Sequence, residues 1–242
     1  MARIVARNTG VLADGRDLSG RSNNATLTLS AEAPETTSFS EVNRSRVGGG
    51  ISDVELSVDA FYDESASSID EYLGSLKVVG ASGLWGFYPV GLTACNRGRD
   101  FGGILTEYTM NAAVADAMGC SFTVTGGSVT LDTKILSTGS LEGTGASAAA
   151  NGVDYGGSAP GQVTAIARYL VGAGADDTIA ASLQDSTNDS AWVTLVEFAN
   201  LTTGNTTSLV TSTSAARYRR YKYLVTNGSA GMVVTCGSNM MV

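Results

Sequence analysis

The chain has 242 residues, of which 43% are hydrophobic and 16% are charged, and its formal net charge is −8. The apolar content argues against a disordered chain, and the acidic balance argues against tight binding to nucleic-acid phosphates, which depends on lysine and arginine. The absence of histidine removes the commonest general base and metal ligand.

Motifs for catalysis and for cofactor binding are missing from the sequence. Neither G-x-S-x-G nor G-x-x-x-x-G-K-[ST] occurs. The three cysteines, Cys95, Cys120 and Cys236, are far apart and indicate neither a zinc site nor a disulfide framework. We therefore expect no enzymatic activity, no cofactor and no metal. We also expect no membrane partner, because no apolar run approaches the roughly 20 residues of a spanning helix.

The first part of the chain predicts β-strands. Asp14-Gly15 within Val11–Leu18 predicts a tight hairpin. Apolar and polar residues alternate over Asn24–Ala33, which is typical of a half-buried strand. The polar segment Pro34–Gly50 predicts a long loop or an extended arm, and Ile51–Tyr62 after it has the clearest strand pattern in the chain.

One helix is predicted over Ser68–Val79. Ser68 and Glu71 fit a capping box, and apolar residues recur at helical spacing up to Gly80, which is a natural stop. Further strands are expected in this part over Leu84–Val90, Gly103–Asn111 and Cys120–Leu136, with a turn or a bulge at Gly126-Gly127.

Three acidic residues, Asp53, Glu55 and Asp59, share one face of the Ile51–Tyr62 strand, because side chains alternate between the two faces. One interpretation is an ordinary solvated surface. The other is a wall past which DNA slides, where like charge prevents the polyanion from binding.

Composition changes at Gly139–Ala159, which is rich in glycine, serine and alanine and predicts an interdomain linker. Short strands separated by turn signals follow, and they indicate a sandwich or a jelly roll. Asn227-Gly228 predicts a hairpin between the last two of these strands, Ala216–Thr226 and Gly231–Cys236.

Two acidic pairs and one basic cluster are further candidate sites. Asp176-Asp177 and Asp185 with Asp189 fit turn chemistry, with calcium binding or a glycosidase acid and base as alternatives. The Arg217–Tyr223 cluster fits an alternating strand, with a surface ligand site or nucleic-acid binding as alternatives.

An ordered series of segments resembles the tail tube proteins of long-tailed, siphovirus-like bacteriophages. It consists of Thr36-Thr37-Ser38-Phe39, Arg44, Gly48–Gly50 and the strand Ile51–Asp63. The opening residues 1–20, the helix Ser68–Val79 and the strand Gly103–Asn111 occur in the same order as in that family, so the likeness covers about residues 1–138.

The resemblance implies a mainly β fold. A tail-tube-type antiparallel β-sandwich or barrel with one flanking helix would occupy residues 1–138, and a linker would follow over residues 139–160. Residues 161–242 resemble the extra jelly-roll-like β-sandwich that decorates some phage tail proteins. The residues that carry this second likeness are Gln184-Asp185-Ser186, Asp189, Trp192, Leu195 and Arg217-Tyr218.

The resemblance also implies a structural role. Six copies would form a ring, rings would stack into a tube, and Asp53, Glu55 and Asp59 would face the lumen that conducts DNA without specific binding. Thr37, Phe39, Arg44 and Arg46 would lie on an arm that reaches a neighbouring subunit. Other implied partners are tape measure, terminator and distal tail proteins, in a virion tail assembled in the host cytoplasm. The alternative is a virion decoration or glycan-binding module.

Overall fold

A computed structural model of the chain describes residues 8–31, 35, 52–62, 69–79, 82–112, 118–126, 131–146, 153–158, 162–172, 178–202, 206–212 and 215–239. These residues form fourteen strands and one helix, and their strand pairings are antiparallel. The predicted mainly β class is therefore confirmed. No helix in these ranges has the length and apolar character needed to cross a membrane.

The elements of the first part agree closely with the expected ones. They are β1 (Gly10–Ala13), β2 (Arg16–Asp17), β3 (Ser22–Ala31), β4 (Ser52–Phe61), α1 (Ile69–Val79), β5 (Ser82–Tyr88), β6 (Arg97–Asn111) and β7 (Gly119–Gly126). The predicted hairpin is confirmed, because β1 pairs with β2 and Asp14 has a φ of 48°, the left-handed conformation that such turns require. The predicted cap Ser68 lies outside the described residues.

The second part contributes seven strands. They are β8 (Leu131–Ala146), β9 (Val153–Asp154), β10 (Val163–Gly172), β11 (Thr178–Ser186), β12 (Val193–Glu197), β13 (Thr206–Ser212) and β14 (Tyr218–Asn239). The start of the predicted linker, residues 139–146, is strand. It pairs with β14 through the backbone, and such pairing does not need large side chains.

The chain forms two compact units, each built from separated stretches. The large unit contains the described parts of Met1–Gly20, Leu84–Asp100 and Leu131–Asn239, and the small unit contains those of Arg21–Gly83 and Phe101–Thr130. These units do not coincide with the predicted division into residues 1–138, 139–160 and 161–242.

In the small unit, four strands pair in the order β3-β4-β7-β6. One face of this sheet is apolar and buried, as Leu56 on β4 and Val124 on β7 illustrate. Helix α1 is held against this face, because Tyr108, which lies opposite Phe122, donates a 2.6 Å hydrogen bond to Asp70 of the helix. Leu73 of α1 is fully buried.

The large unit is organised around β14, a strand of 22 residues. β8 pairs along most of one edge of β14, while the other edge is divided between β11 for the first part and β10 for the last part. The hairpin predicted at Asn227-Gly228 is wrong, since β14 continues through this pair with a register shift between Leu224 and Ser229. The long ladder with β8 outweighs the local turn preference.

Strands of the large unit also pair in the order β14-β8-β6-β5-β1-β2, and β10 adds to the edge of β14. Because β2 lies against β10, this sheet curls back on itself. One of its faces contributes to an apolar core that includes Tyr169, Tyr221 and Val234. The same core contains Leu136 and Val153, so the sandwich predicted for residues 161–242 also depends on earlier residues.

The other face of the curled sheet buries an ion pair. Arg168 Nη2 on β10 donates to Asp100 Oδ1 on β6 at 2.7 Å, and neither side chain is exposed. Tyr88 and Thr235 donate to Asp100 Oδ2 at 2.6 and 3.1 Å. Burial, followed by the negative charge of Asp100, raises the pKa of the Tyr88 phenol well above its usual value. Asp100 therefore joins β6 to three other strands of the large unit.

Candidate functional site

The predicted acidic face of β4 is present. Asp53, Glu55 and Asp59 are exposed, while the alternate residues Val54, Leu56, Val58 and Ala60 are each at most 2% exposed. This alternation follows from the two-residue period of a strand that covers a core on one side only.

Neighbouring strands extend this face with small polar side chains. On β3, Thr28 lies opposite Glu55 and Asn24 lies opposite Asp59, and on β7, Thr125 lies opposite Glu55. Directly opposed residues point to the same side of a sheet. The polar face therefore extends across at least three strands.

A fourth carboxylate, Glu107 on β6, joins this face, and the sequence analysis missed it. Simple alternation places Glu107 on the same side as Leu105, which is buried. A register shift between these residues leaves Glu107 opposite Thr123 of β7, on the polar side. An extra residue in one strand reverses the side to which later residues point. The alternation of Glu107, Thr109 and Asn111 was the available signal, but the shift was not visible in the sequence.

Hydrogen bonds on the face come from neutral groups. Asn24 Nδ2 donates to Asp59 Oδ2 at 3.0 Å, and the backbone N–H of Val54 donates to Asp53 Oδ1 at 2.9 Å. We call Asp53, Glu55, Asp59 and Glu107, with the serine, threonine and asparagine residues between them, the acidic face.

The acidic face carries uncompensated negative charge. Strands β3, β4 and β7, and β6 from Phe101 to Asn111, contain no lysine or arginine. Within the described ranges, none of the four carboxylates takes part in an ion pair, and no group of acidic or cysteine side chains is arranged to hold a metal ion. The face can repel a polyanion, and its described strands offer no cation that would bind phosphate.

The opposite side of the sheet is fixed by contacts to α1. Asp70 accepts hydrogen bonds from Tyr108 at 2.6 Å and from Tyr62 at 3.4 Å. Burial, together with the hydrogen bond to Asp70, raises the pKa of the Tyr108 phenol well above its usual value. Burial also raises the pKa of the Cys120 thiol beside it. These contacts anchor the helix and leave the acidic face free of it.

The other acidic candidates are accounted for differently. Asp185 lies on β11 and not in a turn, and its Oδ2 accepts a 2.8 Å hydrogen bond from the backbone N–H of the distant residue Ala216, so the turn prediction is wrong for Asp185. Asp189 has a φ of 59°, which agrees with turn chemistry. Asp176 and Asp177 lie outside the described residues. So do the predicted arm residues Thr37, Phe39, Arg44 and Arg46, and their role stays a prediction.

The basic cluster forms the first part of β14 and alternates as predicted. Arg219 is 2% exposed and its guanidinium lies 4.0 Å from the centre of the Tyr155 ring. Arg217 pairs with Asp154 at 2.7 Å, and Arg220 lies over the Trp192 ring. Three of the cations therefore already have partners within the large unit, which agrees with the strand interpretation.

Comparisons with known proteins give neighbours of low similarity. No protein-family profile matches the sequence, and no curated protein matches it. Among solved structures, the chain is similar to a protein in the virion of a native gene transfer agent, with 11% identity, a TM-score of 0.46, and coverage of 53% of this chain and 97% of that one.

Two further structures are similar over different shares of the chain. A protein from the tail of an empty gene transfer agent particle, solved with C6 symmetry, has 12% identity and a TM-score of 0.40, and covers 46% of this chain and 80% of its own. The SPP1 Dit protein (gp 19.1), described as a hub of the adsorption apparatus, has 11% identity and a TM-score of 0.36, and covers 96% of this chain and 99% of its own. These structures come from gene transfer agent particles and from the phage SPP1, but these values are too low to establish a shared fold or a role.

Proposed function

We propose that this chain is a structural subunit of a bacteriophage tail tube. Copies join side by side into hexameric rings, and the rings stack into a conduit whose acidic lumen passes DNA during ejection. The subunit performs no chemistry. The observation that carries the proposal is the edge strand β3, which borders the acidic face.

β3 has the properties of a strand that is completed by another chain. It has ten residues, Ser22–Ala31, with no charge and no proline. Among the described strands, it pairs only with β4. Isolated proteins usually protect long edge strands with lysine, proline or a covering segment, because an open edge pairs with other chains. Lateral pairing in a closed ring would satisfy this edge and continue the sheet into the next copy.

The negative charge of the acidic face supports one orientation of the sheet, with this face towards the lumen of the tube. Charges in physiological salt act over about 8 Å, so the face repels DNA only where DNA passes close to it. A narrow lumen meets that condition, and an outer surface does not. We therefore place Asp53, Glu55, Asp59 and Glu107 towards the lumen.

The proposal assigns the remaining segments to contacts between proteins. The arm with Thr37, Phe39, Arg44 and Arg46 contacts a neighbouring subunit. Tape measure, terminator and distal tail proteins contact the tube along its length and at its ends. The protein is located in the virion tail and is assembled in the host cytoplasm.

Electron microscopy of the purified full chain tests assembly. We expect stacked rings, whereas single rings at every concentration would favour a ring at one end of the tail, and monomers alone would contradict the proposal. Leu29→Lys places a charge on the β3 edge at a side chain that is 45% exposed, so we expect a folded chain that does not assemble. Val90→Lys, at a residue 44% exposed in the large unit, is the matched control.

Charge reversal tests the lumen assignment. Asp53→Lys combined with Glu55→Lys should leave tubes assembled and impair DNA ejection, because fixed cations bind phosphates. Asp53→Asn with Glu55→Gln should have a smaller effect, and Glu71→Lys on α1 should have none. Normal infection by particles with both lysines would show that the acidic face points elsewhere.

A further inference from the structure

A groove lies on the large unit, and of the candidate sites discussed above only the end of the basic cluster, Lys222 and Tyr223, reaches it. Its volume is about 360 Å³, within the range of sites for small ligands. The small residues Ala180 and Ser182 of β11 line its floor, and longer side chains on the two flanking strands form its walls. Such a groove forms where a central strand carries small outward side chains and the strands on either side of it carry long side chains.

The walls carry opposite charges. Ser182 lies directly opposite Glu197 of β12 and directly opposite Lys222 of β14, so the three residues form one row across the sheet. The two outer strands are about 10 Å apart, since each strand spacing is about 4.8 Å. Within the described residues, the side chains of Glu197 and Lys222 take part in no hydrogen bond and no ion pair, so both are available to a ligand.

The next row along the sheet is held rigidly. Arg220 Nε donates to Gln184 Oε1 at 3.0 Å, and Gln184 Nε2 donates to Thr194 Oγ1 at 3.3 Å. The Arg220 guanidinium also lies 4.2 Å from the centre of the Trp192 ring. These contacts fix Thr194, which lines one end of the groove. The site is therefore largely formed before any ligand arrives.

The lining selects one class of ligand. One carboxylate and one ammonium give no net charge, so phosphate groups have no advantage over neutral ligands here. The hydroxyl of Ser182 and the amide of Asn200 add hydrogen-bonding groups, while the methyl of Ala180 and the side chain of Leu224, 47% exposed, add apolar surface. A sugar ring presents the same combination, with hydroxyl groups at its rim and an apolar face of C–H bonds.

We propose that this groove binds a neutral oligosaccharide, with hydroxyl groups bound by Glu197 and Lys222 across the Ser182 floor. The site goes beyond the tube function and does not depend on it, since the large unit contains every residue involved. A tail protein with such a site attaches the particle to surface glycans along the tail.

A glycan array that contains neutral, sialylated and sulfated oligosaccharides tests the proposal on the full-length chain. We expect binding to a neutral series. The strongest neutral oligosaccharide is then titrated by Trp192 fluorescence. Glu197→Gln and Lys222→Gln should each weaken binding about tenfold, because each removes a hydrogen bond to a charged group. Ser182→Tyr fills the floor and should abolish binding.

Glu71→Gln on α1 is the matched control and should bind like the unchanged chain, and the thermal midpoint of each variant reports folding. Three results would overturn the proposal: no neutral oligosaccharide binds, binding survives in a folded Ser182→Tyr chain, or inorganic phosphate competes. Glycan binding and tube assembly are measured independently, so a result that contradicts the binding site does not contradict the tube function, and the reverse also holds.

Discussion

Asp100 on β6 and Arg168 on β10 form an ion pair at 2.7 Å, and neither side chain is exposed to solvent. The positive charge of Arg168 is stabilised by Asp100 and Tyr88, which more than offset the effect of burial and raise its pKa. Two of its nitrogen atoms, Nε and Nη1, have no hydrogen-bond partner in the described part of the large unit. The pair therefore links strands at a considerable cost in desolvation.

Breaking this pair should be more harmful than replacing it. Asp100→Asn or Arg168→Met alone should lower the free energy of unfolding by about 3–5 kcal/mol, because each leaves a buried polar or charged group without its partner. Asp100→Leu combined with Arg168→Met should recover only part of that loss, because the buried hydroxyls of Tyr88 and Thr235 then lose the carboxylate that accepts their hydrogen bonds. Urea unfolding of the full chain measures all three, and equal losses in the single and double variants would contradict this account.

The ion pair also leaves no room for a side chain at Gly86. A Cβ atom there would lie 2.6 Å from Asp100 Oδ1. We expect Gly86→Ala to lower the free energy of unfolding by about 1–3 kcal/mol through forced displacement of Asp100. Gly74→Ala on α1 is the control, since no atom lies within 4 Å of the added Cβ. It should stabilise the chain by about 0.5–1 kcal/mol because alanine favours helix. Thermal unfolding distinguishes the destabilisation expected for Gly86→Ala from the stabilisation expected for Gly74→Ala.

Tyr108 should anchor α1 more strongly than Tyr62 does. Its hydroxyl lies 2.6 Å from Asp70 Oδ1, whereas that of Tyr62 lies 3.4 Å from Oδ2. Tyr108→Phe should lower the free energy of unfolding by about 1.5–3 kcal/mol, the range for a hydrogen bond to a charged group, and Tyr62→Phe by less. Hydrogen exchange of the α1 amides provides the local measurement. Equal protection in both variants would show that the shorter bond has no special role.

Asp154 should titrate at unusually low pH. Arg217 donates two hydrogen bonds to its carboxylate, at 2.8 and 2.7 Å, and these, with the backbone N–H of Gly156, lower the pKa of Asp154 from 3.8 to about 2. A lowered pKa in the folded state stabilises the protein above pH 3.8, and that contribution is lost as the pH falls towards 2. Arg217→Gln should raise the pKa towards 3.8, as measured by carboxyl chemical shifts. The stability of the Arg217→Gln chain should approach that of the unchanged chain as the pH falls towards 2.

Much of the fold was predictable wherever one strand face is buried. Val54, Leu56 and Val58 alternate with polar residues, and a one-residue slip would expose all of them, so the pattern fixes both the strand and its acidic side. Glu107 was not predictable, because the register shift that places it on the acidic face depends on pairing with β7. Residues 139–146 and Asn227-Gly228 were misread for a related reason. Local composition favoured a linker and a turn there. However, residues 139–146 pair with β14, and β14 continues past Asn227-Gly228, which lie at the register shift between Leu224 and Ser229.

The groove could not be predicted from the residue pattern of any single strand. Ser182, Glu197 and Lys222 are far apart in the chain, and only the pairing of β11 with both neighbours brings them into one row. Their residue types are common on any solvated strand. What distinguishes them is their position relative to one another, which alternation in one segment does not encode.

The long strand β14 has a consequence for biosynthesis. β8, β10 and β11 each pair with β14, and it is the last strand in the described part of the chain. During translation β11 therefore lacks its ladder with β14 until residues 218–226 have been made, and β8 and β10 lack their complete ladders until residues near 239 leave the ribosome. Pairing between such distant segments is slow and leaves nascent edges open to misassembly. Chaperones that shield exposed strands would have their main period of action on this protein before the large unit closes.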